Sequence, residues 1–225
     1  MPDLTILMPC RNEEENIAFC IEQAKEYLSS RNISGEILVV DNSSTDRSAE
    51  IAESLGARVI QEPQRGYGRA LRTGLTASTG DVIIFGDCDS TYDFSDLDPF
   101  FLPLSINQYD FITGDRFAGQ MEKEAMMFSH KLGVPFLSFC SRVKFGVKIH
   151  DWHCGIRGIR KDAVEKCEFK TTGMEFATEM IAEASQKGLK IGEVSVPLRK
   201  SRNERTEKLR TVRDGLRHLW FIVKA

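Results

Sequence analysis

Leu4-Thr-Ile-Leu-Met8 is an almost unbroken apolar run, the pattern of a strand covered on both faces. Ile17, Cys20, Ile21, Ala24 and Leu28 then recur at helical spacing, which predicts a helix from about Glu15 to Ser29. The alternation continues with strands at Glu36–Val40, Ala57–Ile60 and Asp81–Phe85. Helices are expected between them at Asp46–Leu55 and Tyr67–Ala77. Strands separated by helices of this length imply crossover units and a mainly parallel sheet, with ligands beyond the carboxyl ends of the strands. The second half is less regular. It predicts a strand at Tyr109–Thr113, a loop at Gly114–Arg116, a helix at Met174–Lys187, a strand at Lys190–Val196 and a basic helix at Lys208–Val223. Phe128–Val147 mixes bulky apolar residues with Lys131, Arg142 and Lys144. With no repeat and no low-complexity linker, a single domain over 1–225 is the simplest organisation.

Composition narrows the class. The chain has 225 residues, 41% hydrophobic and 28% charged, ordinary values for a globular protein. A net charge of -3 argues against a nucleic-acid binder, which usually carries a basic excess. Cys10, Cys20, Cys88, Cys140, Cys154 and Cys167 form no CxxC pair and are expected to be reduced thiols of a cytoplasmic protein. Zinc on His150, His153 and Cys154 is the rival reading, and it lacks paired ligand spacing. Met1–Pro9 has no basic leader, and no run reaches the roughly 18 apolar residues of a membrane span. The chain is therefore not expected to cross a bilayer, which leaves open that it lies on one.

Carboxylates gather where the predicted strands end. Asp41 closes the second strand, and Asp87 and Asp89 follow the fourth in Phe85-Gly-Asp-Cys-Asp-Ser90. In extended backbone a spacing of two puts both side chains on one face. Like charges that close repel unless a cation neutralises them, and Mg²⁺ commonly joins one or two carboxylates to a phosphate. A DxD can also be a capped turn beside a solvated carboxylate. Its position after a buried strand, with Asp41 at a sister strand end, favours the metal. Asp46 reads as a helix N-cap, whereas Asp41 has no such role and is assigned to a nucleoside ligand. Arg65-Gly-Tyr-Gly-Arg69 precedes a helix and either cradles a phosphate or is a plain tight loop.

Several of these segments together resemble the inverting family 2 glycosyltransferases of the GT-A fold, nearest the dolichol-phosphate mannose and glucose synthase branch. Met8-Pro-Cys-Arg-Asn-Glu13-Glu-Glu-Asn16 resembles the family's P-x-x-N-E-x-x-N opening. Val39-Val-Asp-Asn-Ser-Ser-Thr-Asp46 resembles its V-D-D-x-S-x-D element, and Gly80-Asp81 with Asp87-Cys-Asp89 its G-D run and DxD motif. Gly114-Asp-Arg116-Phe and Asp151-Trp-His-Cys-Gly155 are similar to its G-S-R-[FY] and D-x-x-[SC]-G segments. The resemblance implies an α/β fold of GT-A type, a mainly parallel central sheet flanked by helices. It also implies a hexosyltransferase that uses Mg²⁺ or Mn²⁺. Pro9, Arg11, Glu13 and Asp41 would contact the nucleotide of a UDP- or GDP-hexose, Asp87 and Asp89 the metal and diphosphate, and Arg116, Arg202 and Arg205 the acceptor phosphate. Residues 1–115 would form the donor half and 116–225 the acceptor half. Arg11 stands where the family often has Tyr, Cys88 where it has a small residue, and Thr91 where mannose synthases often have Gln, which leaves the third metal ligand open.

The acceptor decides what else is needed. A hydroxyl acceptor requires a base, for which Asp151 is the candidate. A polyprenyl phosphate is already an anion and requires cations, with Asp151 then orienting Arg116 or Arg202. Nine basic against three acidic residues from Arg199 to Ala225 favour the phosphate and a peripheral contact with the cytoplasmic membrane face. Phe128, Leu132, Val134, Phe136, Leu137 and Phe139 suit an interfacial helix, or alternatively a core element. The rivals are transfer to a saccharide hydroxyl and, more distantly, nucleotidyl transfer.

Overall fold

The computed structural model describes residues 2–202 and 211–225, with Thr211 and Val212 described through their backbone only. Arg205, named above for the acceptor, and the basic residues Lys208 and Arg210 lie outside the described residues. A seven-stranded sheet runs through the chain in the order β3-β2-β1-β4-β6-β5-β7. The strands are β1 (Leu4–Cys10), β2 (Gly35–Asp41), β3 (Arg58–Gln61), β4 (Val82–Phe85), β5 (Phe111–Asp115), β6 (Arg157–Arg160) and β7 (Ile191–Ser195). All are parallel except β6, which pairs antiparallel with both β4 and β5.

The apolar runs fill two cores, one on each face. Leu4, Ile6 and Met8 pack with α1 (Ile17–Ser30), α2 (Ser48–Ser54) and α4 (Asp98–Ser105). Leu7, Leu38, Val40 and Phe85 pack with α3 (Tyr67–Ala77), α6 (Lys161–Val164) and α7 (Phe176–Gln186). Alternation along each strand assigns the two sets, as the pleat requires. The expected loop at Gly114–Arg116 is a correction: Gly114 and Asp115 continue β5, because β7 pairs with it as far as Asp115↔Ser195.

α5 (Phe128–Phe145) and α8 (Thr211–Lys224) pack side by side, and Phe145 stacks on Trp152 at 5.6 Å and approaches Phe221 at 6.5 Å. The polarity of α5 is reversed relative to a core helix. Its buried residues are Ser138 and Ser141, while Phe128, Leu132, Phe136, Phe139 and Val143 are 57–77% exposed. Leu216, Trp220 and Val223 extend the apolar face on α8. Among the described residues no helix is long and apolar enough to cross a membrane.

Candidate active site

The reversed β6 concentrates loops on one edge of the sheet. The carboxyl ends of β1, β2, β4 and β5 lie there, and so does the segment that leads into the amino end of β6. A cleft of about 260 Å³ opens at this edge, lined by Pro9, Arg11, Glu13, Asn42, Asp87 and Asp89 among others. Side-chain bonds hold its walls. The expected N-cap at Asp46 is a correction: α2 begins at Ser48, so Arg47 takes the cap position without a side-chain cap bond. Asp46, one residue earlier, accepts from Ser48 N–H at 3.0 Å and from Glu14 N–H at 3.1 Å, which ties down the loop after β1. Asn42 donates to the Glu62 and Gln64 carbonyls and accepts from Gly66 N–H at 2.7 Å. Gly66 has φ +154°, and a Cβ there would stand 2.3 Å from the Thr172 carbonyl oxygen, so only glycine closes this wall.

Asp89 is buried, and its Oδ1 accepts from Thr91 N–H at 3.2 Å and from the Thr91 hydroxyl at 2.5 Å. Ser201 Oγ donates to the Asp89 carbonyl at 2.9 Å, and Arg202 N–H donates to Ser90 Oγ at 3.0 Å, which fixes the turn from the far end of the chain. Asp87 is hydrogen-bonded by Tyr67; burial, with the Asp87 charge next, raises the Tyr67 phenol well above its usual range. Among the described residues no three His, Cys, Asp or Glu side chains converge as an all-protein metal site would need, and this includes His150, His153 and Cys154. Two carboxylates on one cleft fit a hard ion that takes its other ligands from phosphate and water, as Mg²⁺ does.

A second cavity of about 340 Å³ adjoins the first, and Tyr67, Asp87 and Met174 line both. Arg116 reaches it with a side chain 12% exposed. Its Nε and Nη2 donate to the two oxygens of Asp151 at 2.6 and 2.9 Å, and Asp151 is completely buried. Glu193 in turn accepts from the N–H groups of His150 and Asp151, and burial raises its carboxyl. Tyr92 accepts from Gly155 N–H at 2.8 Å, and a Cβ on Gly155 would fall 2.5 Å from Asp87 Oδ2. His153 lines this cavity with both ring nitrogens buried and without a hydrogen-bond partner. Burial, then the nearby His218, Arg116 and Arg157, keep it neutral by pushing its imidazole well below the usual range. His218 meets it edge-on at 4.5 Å and is itself lowered to about 4 by burial.

Pro9, Arg11, Glu13, Asp87 and Asp89 therefore meet in the first cleft, and Arg116 meets Asp87 in the second. Asp41 lines neither cavity; it is buried, and its Oδ1 has no hydrogen-bond partner among the described residues. Of the two roles left to Asp151, the geometry pairs it with Arg116. The Arg202 guanidinium lies 4.2 Å over the Phe19 ring, on the rim beside the Asp89 turn, and lines neither cavity. Sequence reasoning placed Gly155 in a motif but missed its role, which is that its lack of a side chain admits Asp87. It also missed Asp214 and Arg217 of α8, which line the first cleft with Gly173 and Met174. The helical spacing of Asp214 and Arg217 was readable, but their destination was not.

Residues 5–168 match the family described as Glycosyl transferase family 2. The chain is 39% identical over 223 residues to the low-salt glycan biosynthesis hexosyltransferase Agl6 of Haloferax volcanii, covering 99% of this chain and 53% of that protein. It thus spans about half the length of that relative. It is 31% identical over 203 residues to a dolichyl-phosphate hexose transferase of the same organism, covering 90% of this chain and 85% of that one. Glucosyl-3-phosphoglycerate synthase of Mycobacterium tuberculosis superposes with a TM-score of 0.79 at 20% identity, over 99% of this chain and 79% of that one. A second structure of it, in complex with Mn²⁺, UDP and glucosyl-3-phosphoglycerate, gives 0.77 at 21% identity, over 98% and 80%. The likeness establishes the GT-A type fold.

Proposed function

This chain belongs to glycosyl transferase family 2, and we propose that it moves a hexose, with inversion, from a UDP- or GDP-hexose to a polyprenyl phosphate at a membrane surface. The observation that carries this reading is the double exposure of Asp87, which lines the cleft with Asp89 and the cavity with Arg116. A donor diphosphate in the first and an anionic acceptor in the second would meet across that shared wall. Mn²⁺ accompanies UDP-glucose in the synthase of the same fold, and the Haloferax relative is named for a dolichyl-phosphate acceptor.

The residues divide the work as follows. Pro9, Arg11 and Glu13 hold the nucleotide, and Asp41, buried at the end of β2, would reach it only if the wall in front of it moved aside. Asp87 and Asp89 would hold Mg²⁺ or Mn²⁺, which when bound supplies positive charge to the leaving diphosphate. Arg116, fixed by Asp151, presents its remaining N–H groups to the acceptor phosphate, and a guanidinium suits that bidentate task. A phosphate oxygen attacks the anomeric carbon as the bond to the donor's diphosphate breaks, and the bonding pair leaves with the nucleoside diphosphate. An anionic nucleophile needs no base. The burial of Asp151 and its double bond to Arg116 fit this better than a hydroxyl acceptor, which would need that carboxylate to accept a proton. In this reading the chain is one transferase domain. Residues 116–225 supply the acceptor side, and the C-terminal helix of that half also reaches the donor cleft.

The reversed polarity of α5 supports a peripheral contact. An exposed apolar stripe flanked by Lys131, Arg142 and Lys144 matches the boundary of an anionic bilayer. The decisive assay incubates the protein with UDP- and GDP-hexoses, Mn²⁺ and farnesyl phosphate, then in parallel with free saccharides. Product on the saccharides and none on the phosphate would overturn the acceptor assignment.

A further inference from the structure

The nucleotide cleft has a wall that the donor motifs do not supply. α8 crosses it and contributes Asp214 and Arg217. Arg217 Nη2 donates to Glu175 Oε1 at 2.6 Å, and the guanidinium occupies the space beside Gly173, where a Cβ would stand 2.7 Å from its Cζ. Gly173 belongs to the segment that closes on the start of α3: a Cβ on Gly66 would strike the Thr172 carbonyl, and one on Gly68 would come within 3.1 Å of the Gly173 carbonyl. Arg217 is thereby seated near the amino end of α3, where Gly66 and Tyr67 line the cleft.

The charges make this position informative. The acids on the lining are Glu13, Asp87, Asp89 and Asp214, and the bases are Arg11 and Arg217. A nucleoside diphosphate entering such a cleft needs cations beyond the metal, and side chain 217 is 38% exposed. A single hydrogen bond to Glu175 leaves its other N–H groups without partners among the described residues. Were Arg217 only half of a structural ion pair, Glu175 would be expected to use both oxygens on it. Instead Glu175 Oε1 accepts from both Arg217 Nη2 and Gly173 N–H, its Oε2 is buried without a partner among the described residues, and Arg217 itself lines the cleft.

We propose that Arg217 is a donor-binding residue that grips the diphosphate of the nucleotide sugar from the C-terminal helix, with Glu175 setting its orientation. The proposal rests on the reading of this cleft as the donor site. The test is calorimetric titration of UDP and GDP, each with MnCl₂, and of uridine and guanosine, into the full chain and its Arg217→Gln, Arg217→Lys and Glu175→Gln variants. Arg217→Gln keeps the stem and an amide for Glu175 while removing the charge. It should weaken the better-bound diphosphate by about tenfold or more, with less than about threefold loss for the corresponding nucleoside, since a charge-assisted bond is what is removed. Arg217→Lys should fall between, and Glu175→Gln, which loosens the guanidinium but leaves its charge, should weaken the diphosphate by clearly less than Arg217→Gln does. Unchanged diphosphate affinity in Arg217→Gln overturns the proposal. Equal losses in Arg217→Gln and Glu175→Gln, or equal losses for diphosphate and nucleoside, overturn it too, because they mark a packing role. A parent chain that binds neither nucleotide sinks the donor reading itself.

Discussion

Arg116 and Asp151 form a two-pronged ion pair, at 2.6 and 2.9 Å, between the end of β5 and the segment that leads into β6. The acid is sealed from water and the base is not, so only the cation faces the cavity. Removing either partner strands a buried charge, which typically costs about 3–5 kcal/mol. Asp151→Asn should therefore lower stability to urea and raise acceptor KM, while kcat stays within about tenfold of the parent. A kcat loss of about a thousandfold with acceptor KM unchanged would instead mark a proton-accepting carboxylate.

Asp87→Asn and Asp89→Asn should each reduce kcat/KM by about a thousandfold or more while unfolding with the parent's cooperativity, because charge on the leaving group is the largest demand of the reaction. Asparagine keeps an acceptor for the Thr91 bonds, so Asp89→Asn separates charge from turn geometry. Near-normal turnover of either purified variant in Mn²⁺ would refute the metal assignment.

Gly155→Ala tests the wall between the cavities. The new methyl would meet Asp87 Oδ2 at 2.5 Å and the Tyr92 ring at about 3 Å, so the carboxylate must swing away. We expect kcat to fall by about a hundredfold at a stability cost of about 1–3 kcal/mol, the usual range for overpacking. A loss of stability without any loss of kcat would show that Asp87 tolerates the displacement.

The buried His153 and His218 give the protein an acid limb. His218, lowered to about 4, binds its proton in the unfolded chain near the ordinary value of 6.5 and in the folded chain only far below it. The unfolded state thus holds more protons between those values. Stability is complete above 6.5 and is lost as pH falls toward 4. From pH 7 to pH 5 this histidine alone should remove about 2 kcal/mol, and His153 acts in the same direction. Urea unfolding across that range measures it, and a flat profile would contradict the burial.

Phe136→Asp with Trp220→Asp should abolish co-sedimentation with anionic vesicles and leave turnover of short farnesyl phosphate within about twofold, because both side chains are exposed and line neither cavity. Sedimentation that persists in the double variant would remove the apolar face from the account.

The strands and helices of the first half were legible because each strand is an apolar run and each crossover helix has one apolar face. β6 was not, since Arg157-Gly-Ile-Arg160 reads as polar. Its buried Arg157 is satisfied by the carbonyls of Trp152, Cys154 and Ala177, a solution invisible in one dimension. α4 was hidden by Pro99 and Pro103, one in its first turn and the other inside it. Asp87 and Asp89 after β4 announced themselves by position, whereas Asp41 at the end of β2 lines neither cavity. Arg217 could not, because its place in the cleft depends on how α8 returns across the sheet.

The lone reversed strand has a practical corollary. With β6 turned over, the opposite border of the sheet is left to scaffolding, closed by main-chain bonds such as Asp81 to Pro2, Lys161 to Asp81 and Asp110 to Lys190. Gly188, in the tight bend between α7 and β7 on that border, has open space around it. Gly188 itself takes φ +69°, so a fluorophore or affinity handle belongs on the exposed Gln186 nearby, at the opposite end of the strands from both cavities, where a labelled chain can report on vesicle binding without disturbing either.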